Sequence, residues 1–488
     1  MAFLSHHDTA SPVKVHRFRN GFFFEFTAEV LRMPSSINPA TGEVIARYDY
    51  LDDAGIEAAL RRAQAAAPAW AHTSLAERAA LLRAIAAQLR RELPDLARSI
   101  VLEMGKPLAE AQAEIEKSAW NCEFLADRAP EWLADEPVVT QAAQSWISYR
   151  PLGTVLAILP WNFPVWQIFR CAAGALIAGN TVLLKHAPNV LGCAEQVTAL
   201  LQRAGLPAGV FEHLNVPVSA IARIIADPRV AAVTLTGSPA AGAAVAAQAG
   251  AACKKSILEL GGSDAFLVLD DADLDSTIAA AIRARFSNCG QVCIAAKRFI
   301  VTPRVAKEFE ERFAAAASRL RVGDPMDPST QLGPLAREDL RTAIETQVAK
   351  SVELGARILT GGHRLPGPGW FHEPTVLTNI SASMPVVEQE TFGPVAAILH
   401  ADNEAHAIKL ANQTRYGLSA MVWTRDIERA NAIAAQLQVG SVFINGVTAS
   451  DPRLPVGGVK LSGYGRELGQ AGIRELVNIQ TVWAGRAT

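Results

Sequence analysis

Apolar residues recur every three to four positions between Asp52 and about Arg128: Ile56, Leu60 and Ala63, then Leu81, Ile85 and Leu89. That spacing predicts amphipathic helices, with Asp52 and Asp53 as caps for the first. Residues 137–149 switch to an extended pattern carried by Val138, Val139, Ile147 and Tyr149. From Gly153 the period changes again. Short apolar runs at 153–159, 181–184, 210–214 and 230–235 alternate with helical stretches after Pro164 and at 191–204, 220–226 and 240–250. Repeated units of this length predict a parallel sheet covered by helices on both faces. Such a sheet binds ligands at the carboxyl ends of its strands.

A second alternation starts near Ile257 and runs to about Phe443, with strands at 265–269 and 298–301 and a helix at 275–285. A turn-rich stretch, GDPMDPSTQLGP at 323–334, interrupts it. It predicts a second α/β domain. The tail at 476–483 (LVNIQTVW) reads as one more strand. A terminal strand needs a partner, and the 137–149 segment is the candidate, in the same subunit or in another.

The length of 488 residues suits two or three domains. With 46 Lys+Arg against 48 Asp+Glu, the net charge of −2 removes the electrostatic case for a nucleic-acid binder. At 50% hydrophobic and 19% charged, the chain can bury a large core. No 18 apolar residues run uninterrupted, so no membrane-spanning helix is expected. The richest stretch, 155–179, is broken by Pro160, Asn162, Pro164, Gln167 and Arg170. Six scattered cysteines form no CxxC pair, which fits neither a disulfide framework nor a zinc site and points to a reducing, cytoplasmic setting. The ten histidines show no metal-ligand spacing, so no metal is expected. Six of the 18 phenylalanines crowd between Phe3 and Phe26, in the wrong order for a secretory signal. Residues 1–33 are therefore expected to be a non-native or disordered extension, with translation starting at Met33.

Several local patterns carry chemistry. In Asn288-Cys289-Gly290-Gln291-Val292-Cys293, a glycine turn follows a helix and offers access and backbone donors to a nucleophilic thiol. Cys289 has the same local claim as Cys293, and either also fits as a small buried hydrophobe. Glu259, in Leu258-Glu259-Leu260-Gly261-Gly262, ends an apolar strand, where burial raises a carboxyl pKa and suits a general base. A partly exposed strand-end glutamate is an equal reading. Asn162, between Pro160 and Pro164, is either a rigid oxyanion donor or a turn residue bonding its own backbone. The turn from Thr236 to Gly242 opens a helix at which Ser238 and the backbone suit a phosphate, although it is neither GxGxxG nor a Walker loop. Lys185 ends the run TVLLK and suits a ribose or phosphate, or is simply solvated.

Taken in order, PWNFP, Lys185, the TGS turn, ELGG, GQVC, ETFGPV (390–395) and PVGGVKLSGYGRE (455–467) resemble the NAD(P)-dependent aldehyde dehydrogenase superfamily over residues 36–482. The resemblance implies an aldehyde dehydrogenase-like α/β fold. Its expected parts are a Rossmann-type cofactor-binding domain (34–132 and 153–258), a catalytic domain (259–443) and a β-strand oligomerisation flap (133–152 and 444–488). It implies Cys293 as nucleophile, with Asn162 and the Cys293 N–H holding the oxyanion. A hydride would leave to the nicotinamide and Glu259 would activate water against the thioester. Trp161, Lys185, Gly237, Ser238, Gly242, Leu260, Gly261, Glu390 and Phe392 would bind the cofactor, and Glu467 would belong to a proton relay.

Three residues past Lys185, where NAD-preferring members often carry a glutamate, stands Pro188, so NADP is expected to be accepted as well as NAD. Arg170 and Ser450 match the carboxylate-binding arginine and serine of succinate-semialdehyde dehydrogenases. The stretches KHAPNVLGCAEQ and FINGVTASD resemble the bacterial Sad-type group. A second arginine common in that group is replaced by Ser287, with Arg283 and Arg285 nearby, and a second cysteine used for regulation in some members is replaced by Ala295. The expected activity is oxidation of succinic semialdehyde to succinate. A broad-range or glutaric-semialdehyde, aliphatic or aromatic aldehyde dehydrogenase is the alternative, and an inactive scaffold a remote one. The expected partners are a small aldehyde and further copies of the chain, as a dimer or tetramer. An interior salt bridge is the competing role for Arg170.

Overall fold

The computed structural model describes residues 33–486. The expected extension at 1–33 falls, but for Met33, outside the described residues. The helical pattern after Asp52 folds as Asp53–His72, Leu75–Arg91, Leu93–Met104 and Leu108–Trp132. Asp52 caps the first helix by accepting the Gly55 N–H at 2.7 Å. Ser74 and Glu77 form a capping box on the second. The apolar faces of the second to fourth helices, including Leu82, Ile85, Leu89, Ile100 and Ile115, are buried in one core with the first sheet, and Ile56, Leu60 and Ala63 of the first helix in another core against the same sheet.

That sheet has six strands in the order Gly463–Tyr464, Lys255–Glu259, Val230–Thr236, Thr154–Ile158, Thr181–Lys185, Phe211–His213. All pairs are parallel except the short first one. The central strands are apolar on both faces, as a sheet covered by helices requires. Ile257 lies inside this sheet, so the second alternation begins later than the sequence pattern suggests. Its first strand is Asp264–Val268. The two strands are separated only by Leu260, Gly261, Gly262 and Ser263, too short a link to mark the change of sheet in the pattern.

The second sheet has seven strands in the order Arg357–Thr360, Thr375–Thr378, Val395–His400, Ala296–Val301, Asp264–Val268, Ser419–Trp423, Ser441–Ile444. It is parallel except for the first pair. Phe266, Phe299, Phe309 and Phe313 fill one of its faces.

The tail strand Val477–Ala484 finds its partner in the same chain: it pairs antiparallel with Gln144–Pro151, which also pairs with the two-residue strand Glu136–Pro137. The 137–149 segment is therefore a hairpin rather than one extended strand. Thr140 turns the chain by accepting the Ala142 N–H at 3.2 Å. The 455–467 stretch is not only a loop. Gly463–Tyr464 adds to the first sheet beside Leu258 and Glu259, and Val456 and Glu467 exchange backbone hydrogen bonds.

Candidate active site

Four strand ends of the first sheet supply one side of the site. Asn162 follows the strand Thr154–Ile158, and Lys185, Thr236 and Glu259 are the last residues of theirs. This is where a parallel sheet presents ligand-binding loops. The second sheet contributes from the amino ends of its strands, because Cys293 and Glu390 precede the interior strands Ala296–Val301 and Val395–His400.

The turn before Cys293 is strained. Asn288 and Cys289 stand in the left-handed region at φ 53° and 54°, which costs a non-glycine residue roughly 1 kcal/mol or more. Nothing in the sequence announces that strain. It is held by buried groups: the Asn288 side chain donates to Asn162 O at 2.8 Å, and its N–H donates to Glu110 at 2.7 Å. Arg285, fully buried, donates to Gly290 O at 2.8 Å, Ala296 O at 3.1 Å and Thr391 O at 3.2 Å, and also to Gly393 O. It thus ties the Asn288–Cys293 turn to the loop carrying Glu390 and Phe392, a role with no local signal in the sequence. Cys289 is buried and Cys293 is partly exposed beside a cavity of ≈ 300 Å³. Geometry thus favours Cys293 over Cys289 as the accessible thiol.

The environment of Cys293 favours the thiol over the thiolate. Burial pushes the Cys293 thiol up to about 11, against the opposing pull of Arg170 and Lys297. The Cys293 proton therefore needs a base. Glu259 is buried, and desolvation pushes its carboxyl up to about 8, with Arg170 pulling down and Glu467 pushing up. No donor among the described residues reaches Glu259 Oε1. Asn162 is buried, and its side-chain amide donates to Gln291 O at 2.9 Å, on the nucleophile turn. An amide N–H₂ has two hydrogens, so one remains for an oxyanion.

Arg170 lines the cavity, but its guanidinium is already engaged. Nε is ion-paired with Glu467, and Nη2 donates to Thr236 at 2.9 Å. The interior ion pair weighed against the carboxylate role is present. Ser450 also lines the cavity, as do Lys117 and Arg283. Lys117 was not singled out from the sequence, because a lysine within a helical pattern reads as a solvated face. Ser287 and Arg283 are exposed at the cavity, whereas Arg285 is spent on backbone carbonyls.

The residues expected to hold a dinucleotide sit in a suitable cradle. Ser238 caps the helix Pro239–Ala251, accepting the Ala241 N–H at 3.2 Å. Gly242 lets that helix approach Leu260, whose methyls a Cβ would strike at 2.5 Å. Gly237 is fixed by its N–H to Glu259 O at 3.0 Å. Glu390 accepts the Gly262 N–H at 3.0 Å, with Lys297 3.4 Å away, and reaches over Gly261, where any Cβ would collide with it. Trp161 and Phe392 meet edge to face at 5.7 Å. Lys185 is half-buried; its ammonium has no hydrogen-bonding or ionic partner among the described residues, and burial lowers its pKa. A ribose hydroxyl is a fitting partner for such an ammonium. The donor set and the glycine approaches fit a nicotinamide dinucleotide. Among the described residues no cluster suits a metal ion, and no helix is long and apolar enough to cross a membrane.

Residues 27–482 match the model of the aldehyde dehydrogenase family. The chain is 50% identical over 451 residues to the succinate semialdehyde dehydrogenase [NAD(P)+] Sad of Escherichia coli, covering 92% of this chain and 98% of that protein. It is 47% identical over 449 residues to a probable NADP(+) succinate-semialdehyde dehydrogenase of Synechocystis, covering 92% and 99%. The structure of succinic semialdehyde dehydrogenase from Streptococcus pyogenes in complex with NADP+ superposes with a TM-score of 0.91 at 38% identity, covering 93% of this chain and all of that one. The NAD+ complex of aldehyde dehydrogenase from Bacillus cereus gives 0.90 at 30%, covering 93% of each chain. With strand ends, nucleophile turn and cofactor cradle in this arrangement, the chain belongs to the aldehyde dehydrogenase family.

Proposed function

We propose that this chain oxidises succinic semialdehyde to succinate with NAD or NADP. The observation that carries the reading is the cavity beside Cys293. Its wall combines an apolar sleeve (Phe163, Trp166, Val447, Val456) with three cations, Lys117, Arg170 and Arg283, and the Ser450 hydroxyl. An apolar sleeve fits a short methylene chain and cations fit a terminal carboxylate. The names of the relatives in E. coli and Synechocystis support the same substrate.

The chain's own residues divide the work. Cys293, partly exposed at the cavity, loses its proton to solvent and Sγ attacks the aldehyde carbon. The oxyanion is held by the second Asn162 hydrogen and the Cys293 N–H. Glu390, Phe392, Trp161 and Lys185 would hold the dinucleotide, which when bound supplies a hydride acceptor. Glu259 takes a proton from water so that hydroxide opens the thioester on Cys293 and releases the acid. Glu467, paired with Arg170, tunes that carboxylate.

We further propose a cytoplasmic homo-oligomer, a dimer or tetramer. Six free cysteines suit a reducing compartment. The edge strand Val477–Ala484 exposes Ile479 and Trp483, and Val139 in the adjoining hairpin is 99% exposed. An apolar edge strand of this kind is a pairing surface for a second copy.

The experiment is a steady-state assay of succinic semialdehyde against butanal, each with NAD and NADP. The expected kcat/KM ratio favours the semialdehyde by roughly tenfold or more, within reach of one charged hydrogen bond. Equal efficiencies would overturn the substrate assignment and leave a broad-range aldehyde dehydrogenase.

A further inference from the structure

Ser450 Oγ accepts two hydrogen bonds, from Lys117 Nζ at 2.7 Å and from Trp166 Nε1 at 3.2 Å. A hydroxyl has two lone pairs and one hydrogen. Both lone pairs are therefore spent, and the hydrogen is what Ser450 has left to offer. None of the described residues accepts it, and Ser450 borders the cavity that also holds Cys293. A hydroxyl arranged this way is a donor waiting for an acceptor.

Lys117 is in a matching position. It projects from the helix Leu108–Trp132 over the Trp166 ring, 4.4 Å from its centroid, and half of it is buried. Among the described residues no carboxylate lies within ion-pair distance of it. The nearby acids are committed elsewhere. Glu114, on the same helix, accepts the N–H groups of Val165 and Trp166 with one oxygen and pairs with Lys106 through the other. Asp451 is held by both guanidinium ends of Arg453, at 2.9 and 2.7 Å. Glu110 accepts the Asn288 N–H. Arg170, the cation facing Lys117 from the helix Trp166–Ile177, has its own anion in Glu467. Burial and the Arg170 charge together push the Lys117 ammonium down to about 8, with Glu114 and Asp451 opposing and Lys106 adding to the repulsion. An ammonium that is desolvated, repelled and unpaired gains most from an incoming anion.

We infer that Lys117 is a specificity-determining cation at the seat of the substrate's distal carboxylate, acting with the Ser450 hydroxyl and adding an unpaired positive charge beside Arg170, whose own charge is shared with Glu467. This rests on the proposed oxidation of a carboxylated aldehyde. The two oxygens of the carboxylate would take one hydrogen from Lys117 and the Ser450 O–H. Trp166 fixes both groups, through its N–H and its ring face.

The test uses Lys117→Met, Lys117→Arg and Ser450→Ala in the full-length enzyme, with succinic semialdehyde and butanal as paired substrates. The expected result for Lys117→Met is a roughly tenfold or greater fall in the ratio of kcat/KM for succinic semialdehyde over butanal, carried by KM. Lys117→Arg should restore most of that ratio, and Ser450→Ala should lower it by a smaller factor. In the unaltered enzyme, KM for succinic semialdehyde should climb above about pH 8, as the Lys117 ammonium of the free enzyme is lost, while KM for butanal stays flat over the same range. Turnover of butanal reports in each case that the variant has folded. A ratio within about twofold of the unaltered enzyme in Lys117→Met overturns this inference alone. An unaltered enzyme that does not prefer succinic semialdehyde overturns the proposed function instead. Should Lys117→Met not fold, Ser450→Ala and the KM–pH profile decide, and an unchanged ratio with a flat profile rejects the seat.

Discussion

Arg170 and Glu467 form a buried ion pair, and the two charges act on Glu259 in opposite directions: the guanidinium lowers its pKa and the carboxylate raises it. Desolvation outweighs both, so Glu259 reaches about 8 and is mostly protonated at pH 7. A general base in that condition gains activity as pH rises through about 8. Glu467 and Arg170 therefore set where that rise falls.

Two variants should move the rise in opposite directions. Glu467→Gln removes the charge that pushes the Glu259 pKa up and frees Arg170 to pull it down, so the rising limb of kcat moves to lower pH. Arg170→Met removes the pull, so the limb moves to higher pH. Each change also breaks a buried pair, at a cost of about 3–5 kcal/mol in stability, so pH profiles are to be recorded beside thermal melts. Shifts of the same sign in both variants would exclude Arg170 and Glu467 as the groups that tune Glu259.

Replacing Glu259 itself should separate the two halves of the reaction. Glu259→Gln keeps the shape and loses the base. A rapid burst of NAD(P)H near one per Cys293 is expected, followed by steady turnover lower by about 10²–10⁴-fold as the thioester waits for water. Stopped-flow absorbance reads both phases. If the first turnover slows as much as the later ones and no burst is seen, Glu259 acts before the thioester forms, as the acceptor of the Cys293 proton.

The chain spells out its repeating units plainly because period and strand apolarity are local. Runs such as TVLLK and VAAVTLT carry the parallel sheet, and their last residues mark the site. The leucine neighbours of Glu259 allow either burial or a partly exposed strand end, and the structure buries it. What local pattern does not hold is who faces whom. The pairing of Arg170 with Glu467 joins residues almost 300 positions apart, and the sequence offers either a substrate fork or an ion pair for the arginine without choosing. Lys117 and Ser450 meet across 333 positions for the same reason. The strained Asn288–Cys289 turn is silent in sequence because neither residue is glycine, and its conformation is imposed by Glu110 and Asn162 from other elements.

Arg285 should behave as a positioning residue. Its guanidinium serves backbone carbonyls on both sides of the gap between the nucleophile turn and the loop of Glu390 and Phe392. Burial lowers its pKa to about 9, so the charge is kept at neutral pH. Arg285→Met leaves those carbonyls without donors and should cost about 3 kcal/mol or more in stability. With the loop released, KM for NAD(P) should rise more than KM for the aldehyde, and Arg285→Lys should recover part of both effects. A variant that melts lower but keeps its cofactor KM would reduce Arg285 to a purely structural residue.

Cofactor choice should turn on Pro188. It is exposed three residues past Lys185, directly after the strand whose end meets the adenosine ribose in the proposed binding mode. With no carboxylate there, nothing at this position repels the extra phosphate of NADP. Pro188→Glu introduces that charge without touching Cys293, Glu259 or Asn162. Two like charges a few ångströms apart near a protein surface repel by on the order of 1–4 kcal/mol, before salt screening reduces it. The expected outcome is a fall of roughly tenfold or more in kcat/KM for NADP, with NAD kept or improved through a hydrogen bond to the 2′-hydroxyl. Because screening weakens the repulsion, the NADP penalty should shrink as salt is raised while NAD responds little. An NADP to NAD ratio that stays within about twofold of the unaltered enzyme at low salt would mean that the 2′-group binds elsewhere and that Pro188 has no part in the choice.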